Sequence, residues 1–325
     1  MYNDNRPRYC SASITHNCML RCKMCEMWKS GKDVNELAIE EWKQVFIKLK
    51  DILHSEAEIC FTGGEPFLKK EILELVRFAA DNGFRTGLNT NAYLIDENMA
   101  KSIAESRLWS IAISLESLDE GKHDFIRGVP GGYRRVMKAI EFLSKCCNGM
   151  YIGVSTVILE NNLDDILDLA RWVQNNERLN SIRFQAMMQP LGVPDEKNWH
   201  KNNRYNALWP KDVSKACSIL DKMIAQKDNG KLEKLNNPSA QLRVFKDYFK
   251  NPSALPRVKK CIYYDGVFNI NPSGDAFLCP EGRSLGNVKT DNIIDMWQSE
   301  ATNKVRESIR NCTRTCKFSV NCFWE

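Results

Sequence analysis

The sequence lacks any long hydrophobic run, with no stretch of eighteen apolar residues able to cross a membrane. No apolar segment follows the opening Met1-Tyr2-Asn3-Asp4-Asn5-Arg6, so a signal peptide is not expected and a cytoplasmic location is. Excess charge is also slight, since 46 Lys and Arg against 41 Asp and Glu leave +5 over 325 residues. The two signs interleave, as in Glu36-Leu37-Ala38-Ile39-Glu40-Glu41-Trp42-Lys43, which reads as a solvated helix surface. A nucleic-acid groove needs a concentrated basic stripe with aromatics, and none is present. Neither a nucleic acid nor a membrane is therefore expected as a partner. Internal repeats and low-complexity tracts are absent as well.

What is present is a globular composition, 43% hydrophobic and 27% charged, in a chain long enough for one main domain and a smaller appendage. Thirteen cysteines stand out. In a reducing compartment they call for an explanation other than disulfides. Their placement is uneven: three fall within residues 18–25 and five within 261–322.

Short β-rich runs alternate with amphipathic stretches through the first 190 residues. The predicted strands are Tyr9–Thr15, Ala57–Phe61, Phe84–Asn89, Trp109–Leu115, Tyr151–Ile158 and Ser181–Met187. The clearest helical pattern is Lys69–Asn82, where Ile72, Leu75, Val76 and Ala79 share a face, Pro66 stands just ahead and Gly83 follows as a C′ residue. Six strand–helix alternations imply parallel strands with right-handed crossovers, as a partial (β/α)6 barrel or an open doubly wound sheet. Either way, function collects at the C-terminal ends of the strands. Residues 1–190 are read as this core, 191–260 as a helical linker or insertion, and 261–325 as a C-terminal module. The linker holds helical patterns at Lys211–Gln226 and Ser239–Lys250 and the aromatics Trp199, Tyr205 and Trp209, which could roof a pocket.

Directly after the first strand comes Cys18-Met19-Leu20-Arg21-Cys22-Lys23-Met24-Cys25. Three thiolates this close can wrap one iron–sulfur cubane and leave its fourth iron without a protein ligand. A zinc site with His16 as fourth ligand is the competing reading, though structural zinc favours paired CxxC knuckles. This CxxxCxxC loop resembles the signature of the radical S-adenosylmethionine (SAM) superfamily, whose fold is a partial (β/α)6 barrel. The resemblance implies a [4Fe–4S] cluster whose open iron chelates SAM and, once reduced, cleaves it to methionine and a 5′-deoxyadenosyl radical. It further implies a flavodoxin or ferredoxin-type electron donor. Met24 stands where the family commonly has an aromatic residue beside the adenine.

Other segments resemble the family's SAM site in the same order. Gly63-Gly64-Glu65-Pro66 looks like the GGE motif that contacts the SAM amino group, although alone it would read as an ordinary turn. Asn89-Thr90-Asn91 looks like a TNG-type segment. Ser114, holding the ribose, and Arg127, steadying the carboxylate, match the next segment, where Glu116 stands in place of the usual Asp. Thr156 and Gln185 at the ends of the fifth and sixth strands are expected beside the adenine, with Met187 read as core.

Cys261, Cys279, Cys312, Cys316 and Cys322 form the second group. Val267–Ile270 and Ala276–Leu278 flank Asn271-Pro272-Ser273-Gly274, a hairpin signal. The plain reading is a small zinc-stabilised domain. Cys261-x12-Gly274-x4-Cys279 with downstream cysteines resembles the SPASM/twitch extension of radical SAM enzymes, implying one auxiliary [4Fe–4S] cluster. Which four of the five bind it stays open here. Cys10, Cys60, Cys146, Cys147 and Cys217 read as small buried hydrophobes.

Enzymes resembling this one perform net oxidations or crosslinks. A peptide substrate is the first expectation, although no peptide-leader-binding domain is recognisable before Cys18. A small sugar-like alcohol is the alternative, and a non-catalytic metal-binding scaffold a further one. Glu281, close behind Cys279, is the expected catalytic base.

Overall fold

The computed structural model describes residues 6–30, 35–190, 193, 196, 198–253, 261–312 and 316–321. Six parallel strands follow one another in spatial order: β1 (Tyr9–Thr15), β2 (Glu58–Gly63), β3 (Arg85–Thr90), β4 (Ser110–Ser114), β5 (Tyr151–Ile158) and β6 (Ser181–Ala186). Helices cover the outer face between them. This is the expected partial barrel. Because every neighbour is parallel, all six C-terminal ends share one rim.

The strands form where apolar and small polar residues alternate. In β1, Cys10, Ala12 and Ile14 are fully buried, while Ser11 and Ser13 face the half-exposed side. The helix expected over Lys69–Asn82 is Ile72–Asp81, burying Ile72, Leu75, Val76 and Ala79. Pro66 begins a separate 3-10 turn, Pro66–Leu68, rather than the helix itself. Gly83 follows the helix with φ +92°, the left-handed conformation a C′ glycine supplies.

The C-terminal stretch does not stand beside this sheet; it continues it. β7 (Val267–Ile270) pairs parallel with β1, then turns through residues 271–274 into the antiparallel β8 (Asp275–Phe277) and β9 (Gly286–Asn287). The connection from β6 to β7 therefore crosses from one edge of the barrel to the other. It carries the helices Val213–Asp228 and Ser239–Lys250.

The outer edge of β6 is closed by side-chain amides. Asn237 bonds the N–H and C=O of Phe184 at 2.7 and 2.9 Å, and Asn321 does the same for Ala186 at 2.8 and 2.9 Å. Each amide imitates a neighbouring strand and satisfies an edge that would otherwise invite pairing. No described helix is long and apolar enough to cross a membrane.

Candidate functional site

The cysteine loop leaves β1 and is clamped on two sides. Gly64 N–H donates to Thr15 O at 2.7 Å and Glu65 N–H to Asn17 O at 2.8 Å. A Cβ at Gly63 would lie 2.2 Å from Thr15 O, and one at Gly64 would lie 2.2 Å from Asn17 O. Gly63 also holds φ +125°. Only glycine permits the turn after β2 to approach the loop this closely. On the far side Lys23 N–H donates to Ile126 O at 2.9 Å, and a Cβ at Gly128 would come within 2.3 Å of Arg21 O. The end of helix Glu120–Arg127 thus presses on the middle of the loop.

Cys18, Cys22 and Cys25 are near enough to feel one another's charge, and Arg127 faces all three. Burial pushes the Cys22 thiol up to about 11 and raises Cys18 as well. Arg127 is itself buried. Burial works against its charge, yet Cys22, Glu116 and the other thiols outweigh that and raise its pKa. Its guanidinium pairs with Glu116 at 3.2 Å, and its Nε is buried without a partner. An orphaned charged N–H beside three thiols is a waiting place for an anionic group.

Glu116 is thereby explained. It is the buried counter-ion of Arg127 and also accepts from Val157 N–H at 2.9 Å. Glu65 is engaged in the same way: its oxygens accept from Phe67 N–H at 3.2 Å, Thr90 Oγ1 at 2.9 Å and Asn91 N–H at 2.9 Å. That carboxylate ties the end of β2 to the end of β3. Three internal donors give Glu65 a bracing role in the turn beside the place expected for the SAM amino group.

Asn89 lies exposed at the end of β3, with Nδ2 at 3.5 Å from Thr62 Oγ1. Ser114 and Gln185 are half-buried and sit on the face opposite the outer core. Met24 packs partly buried against that core. Thr156 departs from expectation, because it is fully buried with its hydroxyl donating to Leu115 O at 2.6 Å. Trp199, Tyr205 and Trp209 depart too. They are buried against one another and against His200, Tyr248 and Phe249, forming a small aromatic core rather than a pocket roof. Cys10, Cys60 and Cys147 are buried, as small hydrophobes should be, while Cys146 and Cys217 are half-buried.

In the C-terminal stretch Cys279 feels the charges of Cys316 and Cys261, so these three thiols come together from distant points of the chain. Burial pushes Cys279 up to about 11, against a bond from Glu281 N–H to its sulfur. The Glu281 side chain is exposed. Cys312 is exposed also, and Cys322 lies outside the described residues.

A zinc ion would need its donors to meet at one point. Among the described residues no three His, Cys, Asp or Glu side chains do so, His16 included. A cubane is wider and takes its thiolates on separate irons. Cys18, Cys22 and Cys25, near enough to Arg127 and to one another to share charge, suit that wider arrangement.

The Radical SAM superfamily profile matches residues 12–173, and an iron–sulfur cluster-binding SPASM domain matches residues 261–323. The chain belongs to the radical SAM superfamily. The PqqA peptide cyclase of Bradyrhizobium diazoefficiens is 29% identical over 94% of this chain and 77% of its own length. The AdoMet-dependent heme synthase of Methanosarcina barkeri is 22% identical over 98% and 90%. Among solved structures, Streptococcus suis SuiB bound to S-adenosylmethionine superposes with TM-score 0.71, at 16% identity over 94% of this chain and 68% of that one. The anSMEcpe enzyme with bound AdoMet and the Cp18Cys peptide gives 0.67, at 18% identity over 97% and 88%. At such identities the likeness is one of fold. As a radical SAM enzyme with a SPASM domain, the protein works with a [4Fe–4S] cluster, S-adenosylmethionine and auxiliary iron–sulfur.

Three further residues shape this radical SAM site, and two of them carry no motif. Asn91 places Nδ2 at 3.8 Å from Cys18 Sγ and 3.5 Å from Met19 Sδ. Glu26, next to Cys25, is buried and accepts from Tyr205 Oη at 3.2 Å while pairing with Lys29 and Arg204. Asn162 donates to Glu116 O at 2.8 Å and Val157 O at 2.9 Å. Asn91 was legible within the Asn89-Thr90-Asn91 segment, and Glu26 left a trace as a carboxylate directly after the last cysteine, where a charge has to find a partner.

Proposed function

We propose that this radical SAM enzyme modifies a peptide by hydrogen-atom abstraction and completes a net oxidation or crosslink with an auxiliary [4Fe–4S] cluster. One arrangement carries the reading. The parallel rim brings the cysteine loop, the Gly63-Gly64 turn, Asn91 and Arg127 around one space, on a chain similar along most of its length to PqqA peptide cyclases. When bound, the cluster and SAM supply a 5′-deoxyadenosyl radical that removes a hydrogen atom from the substrate.

The chain's own residues hold and orient. Cys18, Cys22 and Cys25 ligate three irons, and Arg127 Nε–H donates to the carboxylate of SAM while Glu116 keeps the guanidinium in place. Gly63 and Gly64 present backbone to the amino group, with Glu65 fixing their turn. Ser114 takes the ribose, and Met24, Asn89 and Gln185 border the adenosyl space. Cys261, Cys279 and Cys316 hold the auxiliary cluster. Exposure counts against Cys312, which leaves Cys322 as the fourth ligand. Glu281 serves as base for the proton released on oxidation.

A peptide suits the inner face. Ser11, Thr62, Ser114 and Gln185 line it half-exposed, a surface that can hydrogen-bond an extended backbone. Anaerobic reconstitution with about two cubanes, followed by mass spectrometry of a genome-neighbouring peptide, tests the reading. A mass loss of two hydrogens with 5′-deoxyadenosine released is expected. Deoxyadenosine formed only with a porphyrin or sugar-like alcohol, the peptide staying unchanged, overturns it.

A further inference from the structure

The turn after β3 aims one buried amide at the cysteine loop, and its neighbours fix that aim. Asn91 is only 6% exposed. Its backbone N–H donates to Glu65 Oε2 at 2.9 Å, and Thr90 Oγ1 donates to Oε1 of the same carboxylate at 2.9 Å. The side-chain oxygen Oδ1 accepts from Tyr93 N–H at 2.9 Å. Such a partner tells the two ends of an amide apart, so the NH2 group is the end turned the other way. There it meets sulfur. Nδ2 lies 3.8 Å from Cys18 Sγ and 3.5 Å from Met19 Sδ. No oxygen among the described residues accepts from it.

The backbone takes an uncommon shape to present this amide. Ala92, the next residue, is fully buried with φ +58°, a left-handed conformation that is strained for a residue with a Cβ. Thr90 Oγ1 accepts from Ala92 N–H at 2.9 Å and so braces the same turn. Glu65 and Thr90 lock the turn, and the turn together with Tyr93 sets the amide.

A neutral thiol and a thioether are weak acceptors, and they leave a buried amide N–H poorly satisfied. A thiolate bound to iron carries negative charge and accepts such a bond far better. The extra electron of a reduced cubane is spread onto its sulfurs, so a donor placed there favours the reduced form. We propose that Asn91 tunes the N-terminal cluster, donating Nδ2–H to Cys18 Sγ so that the cubane is easier to reduce, with Glu65 and Tyr93 as the groups that position it. The balance is simple: an external one-electron reductant loses an electron, the cubane gains it, and no bond breaks or proton moves. The inference rests on the radical SAM assignment and not on the nature of the substrate, so its test contains none.

Reconstituted wild type is compared with Asn91→Ser, in the absence of SAM. A serine hydroxyl can still accept from the N–H two residues on, while the amide N–H is gone. Both clusters are titrated with dithionite and followed by electron paramagnetic resonance. The signal that changes when SAM is added to the wild type marks the N-terminal cluster, and the auxiliary cluster is the reference. At the N-terminal cluster the serine variant should be at least about tenfold harder to reduce, a potential about 59 mV lower for one electron. The auxiliary potential should not move. Pulsed spectra of the reduced N-terminal cluster in H2O and D2O should show one exchangeable proton coupling that the variant lacks. Asn91→Asp covers a serine variant that does not load: its carboxylate matches the amide in size, keeps the Tyr93 bond and has no N–H to give. Its potential should fall at least as far. An unchanged potential overturns the proposal. So does a lowered SAM affinity with the SAM-free potential unmoved, which would make Asn91 a SAM contact. Failure of both variants to load the N-terminal cluster overturns it too, because Asn91 would then be holding the loop rather than tuning it.

Discussion

The two groups of thiols are assembled in opposite ways. Cys18, Cys22 and Cys25 belong to one short loop that the fold clamps before any iron arrives, with glycine turns on both flanks and Arg127 facing inward. Cys261, Cys279 and Cys316 meet from three separate stretches, a turn, the end of a hairpin and the start of a helix. Closing that longer span costs roughly 2 kcal/mol more than closing the loop at residues 18–25. A cluster in the first place is therefore mainly chemistry laid on a ready scaffold. In the second place it is also part of what holds the chain together.

The largest expected effect separates these roles. Cys22→Ala should abolish deoxyadenosine formation, by at least about a thousandfold, while the melting temperature of the purified protein barely moves. Cys279→Ala should lower iron content by about half and reduce thermal stability by several degrees. In contrast, Cys312→Ala should keep full iron content. Equal stability losses in Cys22→Ala and Cys279→Ala, read by calorimetry, would erase the contrast.

Arg127 comes next. Arg127→Gln strands Glu116 in a buried site that already raises its pKa, and should cost about 3–5 kcal/mol in denaturant unfolding. Adding Glu116→Gln should recover most of that stability but not SAM binding, measured by calorimetry. Recovery of both would make Arg127 a purely structural cation.

A smaller loss is expected for Gly64→Ala. The added Cβ meets Asn17 O, and forcing it in should cost about 1–3 kcal/mol. Reconstitution should load the N-terminal cluster poorly and leave the auxiliary one intact, as Mössbauer spectra of the two sites would report.

The smallest effect is a pH dependence confined to the N-terminal half. His123 Nδ1 accepts from Glu116 N–H at 3.2 Å, and burial, with Arg127 adding to it, lowers its pKa to about 4 from 6.5. The unfolded chain takes up this proton first on acidification. The stabilisation is thus fully present above about pH 6.5 and disappears as pH falls toward 4. Between pH 7 and 5 it should amount to roughly 2 kcal/mol. His123→Asn should flatten that portion of the urea-midpoint profile relative to wild type.

The C-terminal cysteines also show where reading the chain alone stops. Their spacing named the kind of module, but nothing in the string could show Cys316 meeting Cys261 and Cys279 while Cys312 stays exposed. Trp199, Tyr205 and Trp209 looked available for a substrate because aromatics in a polar segment carry no sign of their neighbours. The fold packs them on one another and Trp209 on Tyr248 and Phe249, from a helix some forty residues on. Glu65 was legible as part of a motif, but the Thr90 and Asn91 donors that hold its carboxylate were not.

What the sequence settled by itself was whatever is local. The strand periodicities, the cysteine loop and the glycine turn are all set by residues a few positions apart. Bond geometry and side-chain alternation act at that range without help. What only the tertiary structure decided was partnership over distance. It placed Glu116 under Arg127, tied Glu26 to Tyr205, set β7 beside β1 and turned Asn237 and Asn321 into a substitute strand. Such pairings depend on where the chain returns, and the energy that selects them exists only once the core is closed.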